Sequence, residues 1–420
     1  MGTVTPLDLP LRRNRNFLWF WGGEAVSQLG AQFTLLAIPV LAVTFLGATE
    51  WQVGLLGAAQ TAAFLLVGLP AGAWLDRMLK RRAMIAADIV RAAALATLPA
   101  LWFAGHLEMW HLYVVGIVVG VATVFFDVAY QSYVPILLPS SQIGSGNSRL
   151  ETTSQIASIG GPGLAGALLT IVSAPVLLVV DAISYVVSAF AIWRVRDTET
   201  TPPRHERRPL ATEIAEGIAF VFRHRLLRAI VLTTAATNFF GFFITTLEAL
   251  YVLRELDLGP ASLGLMYSVG SVGGLLGAVA TPWFTRLIGE GTAITVSAIG
   301  FGIATAAYPL ASLAGVAALP VLIGGMLLQS FFVLVYNITQ VTMRQRLCPP
   351  RLLGRMNASI RFVVWGVMPL GSLAGGALGT GLGIVPTMWI GTVGGLLGAA
   401  FVLFSPLTGM RELPREQVRD

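Results

Sequence analysis

The 420-residue sequence is 55% hydrophobic and carries only 27 basic and 21 acidic side chains, and its mean hydropathy is +0.76. A soluble protein of this length would carry about twice that charge. These values exclude a water-soluble globule, and many apolar stretches exceed the ~18–20 residues that cross a bilayer as a helix. The composition therefore predicts an all-α polytopic membrane protein.

The sequence lacks the motifs of two large enzyme classes. Its only lysine, Lys80, is followed by Arg81, whereas a phosphate-binding loop needs Gly-Lys followed by Ser or Thr. No His-Glu-x-x-His motif or Cys/His cluster provides zinc ligands, and the single cysteine, Cys348, excludes an intrachain disulfide. We therefore expect no enzymatic activity, no metal site and no cofactor.

Twelve hydrophobic segments are predicted to span the membrane, and the first is far too long for a cleavable signal peptide. The predicted spans are 17–46, 52–75, 83–104, 109–136, 148–172, 175–193, 227–253, 261–285, 291–312, 315–342, 357–381 and 384–408. They divide the chain into a cytoplasmic N-terminal tail (1–16), a six-helix bundle (17–193), a cytoplasmic linker (194–226), a second six-helix bundle (227–408) and a cytoplasmic tail (409–420).

The basic residues indicate the orientation of these spans. If the N-terminus is cytoplasmic, 26 of the 27 Lys and Arg residues lie on the cytoplasmic side or at cytoplasmic helix ends, and Arg254 alone lies outside. This distribution follows the positive-inside rule and predicts a multi-pass protein of the plasma (inner) membrane with both termini cytoplasmic. It also indicates that the basic residues responsible for the net charge of +6 face an anionic inner leaflet rather than nucleic acid.

The linker contains a predicted amphipathic helix. Leu210, Ile214, Ile218 and Val221 recur at helical spacing. Such a helix can lie on the inner leaflet, and the alternative is a helical linker with no membrane role.

An internal repeat relates the two halves of the chain. Residues at a spacing of 210 or 209 are identical at several positions where chance identity is uncommon. The pairs are Pro139/Pro349, Gly144/Gly354, Asn147/Asn357, Gly166/Gly376, Ala167/Ala377, Leu168/Leu378, Trp74/Trp283 and Arg77/Arg286. The repeat predicts two six-helix halves related by a pseudo-two-fold axis.

The loop after the second span carries the most specific motif. The segment GAWLDRMLKRR (72–82) resembles the signature loop of the major facilitator superfamily, G-x-x-x-D-R-x-G-R-R. The matching residues are Gly72, Asp76, Arg77, Lys80 and Arg81, and Leu79 replaces the usual glycine. The resemblance implies the major facilitator fold and a cytoplasmic latch in which Asp76 faces the start of the eleventh helix. The alternative is a solvated positive-inside loop.

Other stretches resemble the branch that contains macrolide-efflux proteins and the enterobactin exporter. They include NFLWFWGGEAVSQLGAQ (16–32), FFDVAYQSYVPILLP (125–139) and GNSRLETTSQIASIGGPGLAG (146–166), and within the last of these Gly161, Pro162 and Gly166 resemble a motif of proton-coupled exporters. The resemblance implies efflux of a small hydrophobic or amphipathic compound (a drug, a macrolide-like molecule or a siderophore). The protein would act as a monomer, with protons as coupling ions and the proton gradient as its energy source. An importer or facilitator of a small metabolite is the alternative.

Small residues recur every four positions in four spans, which permits close helix packing. They are Gly371, Gly375, Gly379 and Gly383 in span 11, Gly270, Gly274 and Ala278 in span 8, Ala157, Gly161 and Ala165 in span 5, and Gly68 and Gly72 in span 2. By the resemblance, these stripes are expected where span 2 meets span 11 and span 5 meets span 8. The alternative is that membrane helices are simply rich in glycine.

Six acids lie within the predicted spans, where a charged carboxylate is costly unless it is paired, protonated or functional. Asp88 is expected to pair with Arg91 one turn away. Glu151 and Arg361 occupy equivalent places in the repeat and are interpreted, with that pair, as cytoplasmic latch or gate charges. Asp127 is a candidate for the latch or for carrying a proton. The last three are Glu24, Asp181 and Glu248.

Glu24 is the first candidate for proton coupling. It is flanked by Gly22, Gly23 and Ala25 and has no basic residue three or four positions away. The alternative is a buried, hydrogen-bonded acid. Asp181 and Glu248 lie near the predicted outer ends of spans 6 and 7 and are expected to be hydrated boundary residues.

Uncharged amides and aromatics are candidates for the substrate cavity, since amides are disfavoured in lipid and aromatic rings suit amphipathic or cationic substrates. The candidates are Asn238, Phe239, Gln329, Tyr336, Asn337, Gln340 and Trp365. For each aromatic, contact with lipid or ordinary packing is the alternative.

Overall fold

The computed structural model describes residues 11–75, 78–196, 199, 210–348 and 353–411. This part of the chain is 88% helical and contains no strand, which confirms the predicted all-α class. Twelve helices, labelled α1 to α12, lie at the twelve predicted spans. They are α1 (Arg15–Val40), α2 (Glu50–Leu66 and Gly68–Leu75), α3 (Lys80–Phe103), α4 (Met109–Leu137), α5 (Ser140–Leu168), α6 (Ala174–Arg194), α7 (Arg225–Leu250), α8 (Pro260–Ile288), α9 (Glu290–Thr305 and Ala307–Ala311), α10 (Ala318–Leu347), α11 (Leu353–Leu382) and α12 (Ile384–Gly398 and Ala400–Leu403).

Ten of these helices are long and apolar enough to cross a membrane, counted over the described residues. The other two are α2 and α5. A turn at Val67 divides α2 into two shorter pieces. The first half of α5 is the polar sequence SSQIGSGNSRLETTSQ, which lowers its mean hydropathy.

The repeat seen in the sequence recurs in the secondary structure. Four helices of the first half begin at Arg15, Glu50, Lys80 and Ala174, and their counterparts begin 210 residues later. A five-residue π-helix follows both α1, at Leu41–Phe45, and α7, at Tyr251–Glu255. The packing repeats as well, because α1 contacts α5 and α6 as α7 contacts α11 and α12.

The chain forms two compact units. The first comprises residues 1–47 and 62–206, and the second comprises residues 48–61 and 207–420. The start of α2 therefore belongs to the second unit. Gly54 of α2 packs closely against α11, because a Cβ atom added to Gly54 would lie only 2.8 Å from Gly376 Cα.

Each unit has its own hydrophobic core. In the first unit, Phe17 and Phe20 of α1 pack with Met84 of α3 and with buried residues of α4. In the second unit, Leu227 of α7 and Met343 of α10 pack with buried residues of α11 and α12. The linker helix, Leu210–Arg223, belongs to the second unit and contributes Val221 to this core.

The stripe of small residues on α11 packs only in part as predicted. Gly371 and Gly375 contact α7 rather than α2, whereas Gly379 contacts both Leu247 of α7 and Glu50 of α2. Gly54 and Gly57 of α2 are contacted by Ser372 and Gly376, which belong to the adjacent stripe, since neighbouring helical positions point about 100° apart. Gly383 lies beyond the end of α11 at φ +92°, in the turn before α12.

Two further stripes contact helices of their own unit. Gly270 and Gly274 of α8 lie against α10 side chains, and Gly273 and Gly277 lie against the α10 backbone. In α5, Gly161 lies against Gln32 of α1 and is buried, as are Pro162 and Gly166.

Candidate functional site

Three ionisable side chains are buried together in the first unit. Glu24 lies on α1, and Asp88 and Arg91 lie on α3, with exposed fractions of 6%, 0% and 5%. Packing against neighbouring side chains leaves these three groups almost no exposed surface. Burying charges in this way is costly unless the charges are paired, which makes the cluster a candidate functional site.

Arg91 is fixed by three neighbours. Its guanidinium donates a hydrogen bond to Asp88 Oδ1. The same group lies 4.3 Å from the ring centroid of Phe126 on α4 and 4.2 Å from that of Tyr185 on α6. A cation held between two aromatic rings and a carboxylate is well stabilised in a dry environment. The expected pairing of Asp88 with Arg91 is present, and it lies in the interior of the unit.

Glu24 has a less complete set of partners. Gln28, one turn later on α1, donates from Nε2 to Glu24 Oε1 at 2.7 Å. Glu24 Oε2 is buried and has no hydrogen-bond partner among the described residues. Glu24 also interacts electrostatically with Arg91, and to a smaller extent with Asp88 and Asp127. One carboxylate oxygen is thus left without a donor in the interior of the protein.

Asp181 is a fourth buried charge of the first unit, with none of its surface exposed. The hydroxyl of Thr34 on α1 donates to one of its oxygens, and the hydroxyl of Ser184 donates to the other at 2.9 Å. The prediction that Asp181 is a hydrated boundary residue is therefore wrong. Its side chain points into the α1–α6 contact, where both oxygens are satisfied.

Glu248 in the second unit is also buried, with 3% of its surface exposed, so the same prediction is wrong for this residue. The hydroxyls of Tyr267 on α8 and Tyr308 on α9 each donate to one carboxylate oxygen at 2.9 Å. Hydropathy predicted where Asp181 and Glu248 lie along their helices, but it did not indicate whether their side chains face the interior of the unit or its surface.

The latch residues are only partly described. Asp76 and Arg77 lie outside the described residues, and Gly72 lies in α2. Lys80, at the start of α3, is buried and donates from Nζ to the Met78 carbonyl oxygen at 3.3 Å. Arg81 donates to the carbonyl oxygens of Ile192 and Trp193 at the end of α6, and so links α3 to α6.

Glu199 caps the start of α3 and was not singled out from the sequence. Its carboxylate accepts hydrogen bonds from the backbone N–H groups of Lys80 at 2.7 Å and Arg81 at 3.2 Å. A carboxylate at a helix N-terminus is favourable because it satisfies free N–H groups and opposes the helix dipole. The capping acid comes from the segment after α6, more than 100 positions away, so no local pattern reveals it.

The other predicted charges are exposed. Asp127, Glu151 and Arg361 all lie on the surfaces of their units. Glu151 accepts a hydrogen bond from Gln155 at 2.7 Å. The guanidinium of Arg361 lies 5.4 Å from the ring centroid of Trp365.

A polar cavity of about 100 Å³ lies in the second unit between α7, α9 and α10. It is lined by three of the predicted substrate-cavity residues, Asn238, Tyr336 and Asn337. Further polar groups come from three threonines of α7 and from Ser297 of α9, whose buried hydroxyl has no partner among the described residues. The Tyr336 hydroxyl is bonded to Thr234 Oγ1 at 2.8 Å, and Asn238 donates to the Val364 carbonyl oxygen at 2.9 Å.

The remaining cavity candidates lie elsewhere. Phe239 packs against Phe240 and Phe243 on its own helix. Gln340 is buried and donates to Asn337 at 3.4 Å. Gln329 and Trp365 are half-buried and do not line this cavity.

The described residues contain no group of three or more His, Cys, Asp or Glu side chains placed to hold a metal ion. The buried cluster of the first unit has a carboxylate oxygen, Glu24 Oε2, that has no hydrogen-bond partner among the described residues and could hold a proton. The polar cavity of the second unit can accept a small hydrogen-bonding group.

Comparison with known proteins identifies the class. The Major Facilitator Superfamily matches residues 20–371 of the chain. The multidrug efflux pump Tap of Mycolicibacterium fortuitum is 24% identical over 400 residues, which cover 91% of this chain and 93% of Tap. Macrolide efflux protein A of Streptococcus pyogenes is 22% identical over 388 residues, which cover 88% of this chain and 90% of the efflux protein.

Solved structures share the fold. A bacterial homologue of the iron transporter ferroportin is 18% identical and has a TM-score of 0.70. The match covers 93% of this chain and 98% of the homologue. The nucleoside transporter NupG is 11% identical and has a TM-score of 0.74. The match covers 92% of this chain and 99% of NupG. With twelve helices in a repeated arrangement and a family match over most of the sequence, this chain belongs to the Major Facilitator Superfamily and is a membrane transporter, not an enzyme.

Proposed function

We propose that the protein is a proton-driven exporter of hydrophobic or amphipathic compounds in the plasma membrane, with both termini cytoplasmic. The efflux activities named for Tap and for macrolide efflux protein A support the direction and the substrate class. Glu24 is the proton carrier in this proposal. The observation that carries the proposal is the unpartnered Oε2 atom of Glu24 in a buried cluster with Arg91.

The cluster suggests how protonation is coupled to a conformational change. When Glu24 is charged, it attracts Arg91, whose Nε atom has no acceptor among the described residues. A proton on Glu24 removes that attraction, and Asp88 is then the carboxylate of the cluster that still attracts Arg91. Because attraction between charges is strong in a low-dielectric interior, this change can alter the position of α1 relative to α3.

The test is transport by everted membrane vesicles under an imposed pH gradient. The substrates are a macrolide, a hydrophobic cationic dye and a siderophore, each measured with and without a protonophore. Glu24→Gln keeps the size of the side chain and mimics the permanently protonated acid. We expect it to abolish gradient-driven transport and to spare substrate binding and gradient-free exchange, whereas Glu24→Asp should retain partial activity at a shifted pH optimum.

Matched controls are available in two of the other buried acids, Asp181 and Glu248. Asp181→Asn and Glu248→Gln each remove a charge from a carboxylate whose two oxygens are both hydrogen-bonded, and we expect both variants to pump. If Glu24→Gln pumps like the parent protein, Glu24 is not the proton carrier, and Asp127 becomes the next residue to test. Substrate uptake that is unaffected by a pH gradient would instead favour a facilitator.

The polar cavity of the second unit is proposed to bind one polar group of the substrate. A volume of about 100 Å³ corresponds to roughly three water molecules, so it cannot hold a whole macrolide. Ser297 and Asn337 provide hydrogen-bonding groups on opposite helices. We expect Asn337→Ala to weaken binding of hydroxyl-rich substrates more than binding of a purely apolar dye, measured by ligand-induced quenching of tryptophan fluorescence.

A further inference from the structure

A long apolar groove lies on the outer surface of the first unit between α3 and α6. Its volume is about 830 Å³. Small side chains form its floor, among them Ala92, Ala96 and Ala182, and large exposed side chains such as Phe103 and Val186 form its walls. On α3 the lining runs from Ile85 to Phe103, which is about 27 Å of helix and close to the hydrocarbon thickness of a bilayer.

One end of this groove is basic. Arg82 is exposed and lies one turn before Ile85, on the stripe that continues through Ile89, Ala92 and Ala96. Arg81 bridges the two helices at the same end, because it donates to the carbonyl oxygens of Ile192 and Trp193.

The α6 side of this end carries Arg194, which is exposed and lies 5.7 Å from the ring centroid of Trp19. Trp19 contacts Phe190, and Phe190 contacts Trp193, which lines the groove. Tryptophan and arginine together are typical of the headgroup level of a membrane. The Glu199 carboxylate is also at this end, where it is engaged by backbone N–H groups of α3.

The second half of the chain offers an internal contrast. At the spacing of 210 residues, Arg81, Arg82 and Arg194 correspond to Gly291, Thr292 and Phe404. The basic end is therefore specific to the α3–α6 pair and is not a general property of the repeat.

We propose that the α3–α6 groove binds an anionic phospholipid. One acyl chain lies along the alanine floor, and the phosphate-containing headgroup contacts Arg82 and Arg194. An apolar channel of bilayer length that ends in three arginines and an aromatic cluster matches an amphipathic anion in both shape and charge. The bound lipid would hold α6 against α3, and these are the helices that carry Asp181 and Arg91.

The test is lipid retention by the purified full-length protein, measured by native mass spectrometry. Phosphatidylglycerol and phosphatidylcholine with the same acyl chains are added at equal concentration. We expect phosphatidylglycerol to be retained preferentially, and Arg82→Gln and Arg194→Gln each to reduce its retention about fivefold without changing that of phosphatidylcholine. Arg286→Gln, at an exposed arginine in the second unit, is the matched charge control and should have no effect.

A second pair of variants tests the groove itself. Ala96→Trp fills the groove and should reduce retention of both lipids, whereas Thr97→Trp places the same ring at an adjacent exposed position outside the groove and should not. Glycerol phosphate, which has no acyl chains, should not displace the lipid. Equal retention of the two lipids by the parent protein, or unchanged retention in Ala96→Trp, would overturn the proposal. So would a dimer that Ala96→Trp dissociates in light scattering, since the groove would then be covered by a second copy.

Discussion

Gly375 in α11 provides a sharp test of helix packing in the second unit. A Cβ atom at this position would lie 2.8 Å from Phe243 Cα in α7, whereas ordinary contacts begin at about 3.4 Å. The Gly375→Ala variant therefore requires α7 and α11 to separate by at least about 0.6 Å. Gly381 lies on the same helix with no atom within 4 Å of its Cβ position, so Gly381→Ala is the matched control.

The surroundings of α7 limit this separation. α7 also packs closely against glycines of α12, where a Cβ on Gly391 would lie 2.9 Å from the Phe240 carbonyl oxygen. Because α7 is in close contact with both α11 and α12, a movement away from α11 disturbs its packing against α12. Overpacking of this kind costs about 1–3 kcal/mol, while alanine in place of glycine favours a helix by about 1 kcal/mol.

We therefore expect Gly381→Ala to be neutral or more stable than the parent protein and Gly375→Ala to be less stable than Gly381→Ala by about 1–3 kcal/mol. The measurement is chemical unfolding of both variants in the same detergent, followed by tryptophan fluorescence. The bulkier Gly375→Leu should also abolish transport. Equal stability of the two alanine variants would refute the packing assigned to Gly375.

Three further outcomes are expected. Asp88→Asn leaves the buried Arg91 charge without its carboxylate, so unfolding in detergent should show a loss of about 3–5 kcal/mol, and a loss below about 1 kcal/mol would contradict the buried pairing. Asp76→Asn should leave normal protein levels in the membrane but greatly reduce vesicle transport, because the proposed latch is lost, and full transport would argue against the latch. Arg346→Gln breaks a partly exposed ion pair with Glu290 and should change the unfolding free energy by less than about 1 kcal/mol in the same assay.

The membrane spans were predictable because hydropathy and helix length depend on local sequence. Most helix ends lie within a few residues of the predicted ends. The largest difference is at α5, which begins at Ser140 rather than near residue 148. Hydropathy detects the apolar part of a helix, and the first turns of α5 are helical but polar.

The helix partners of the glycines were not predictable from spacing alone. Gly375 and Gly376 are neighbours in the sequence, yet the first contacts α7 and the second contacts α2. Both positions belong to stripes with a period of four residues, since α11 is rich in small residues on more than one face. Which stripe meets which helix depends on how the helices are arranged, and that information is spread over the whole unit.

The partners of the buried acids show the same difference between local and distant information. Gln28 is one turn from Glu24, so a search for amide donors at this spacing would have found it. Thr34 is 147 positions from Asp181, and Tyr308 is 60 positions from Glu248. Those contacts form only when α1 meets α6 and α7 meets α9, so the sequence alone could not separate a hydrated acid from a buried one.

The number of hydrogen-bonded oxygens differs among these buried acids. Asp181 and Glu248 each accept one hydroxyl at each oxygen, and a fully satisfied buried network fixes the packing of the helices that supply it. Glu24 accepts one bond and leaves its second oxygen free among the described residues. A free oxygen destabilises the resting structure, and it is also where a proton can be added without breaking an existing bond. Asp88 also leaves one oxygen, Oδ2, without a partner among the described residues, but its other oxygen is paired with Arg91. Glu24 has no such ion pair within the described part of the chain, and it is therefore the buried acid that we propose as the proton carrier.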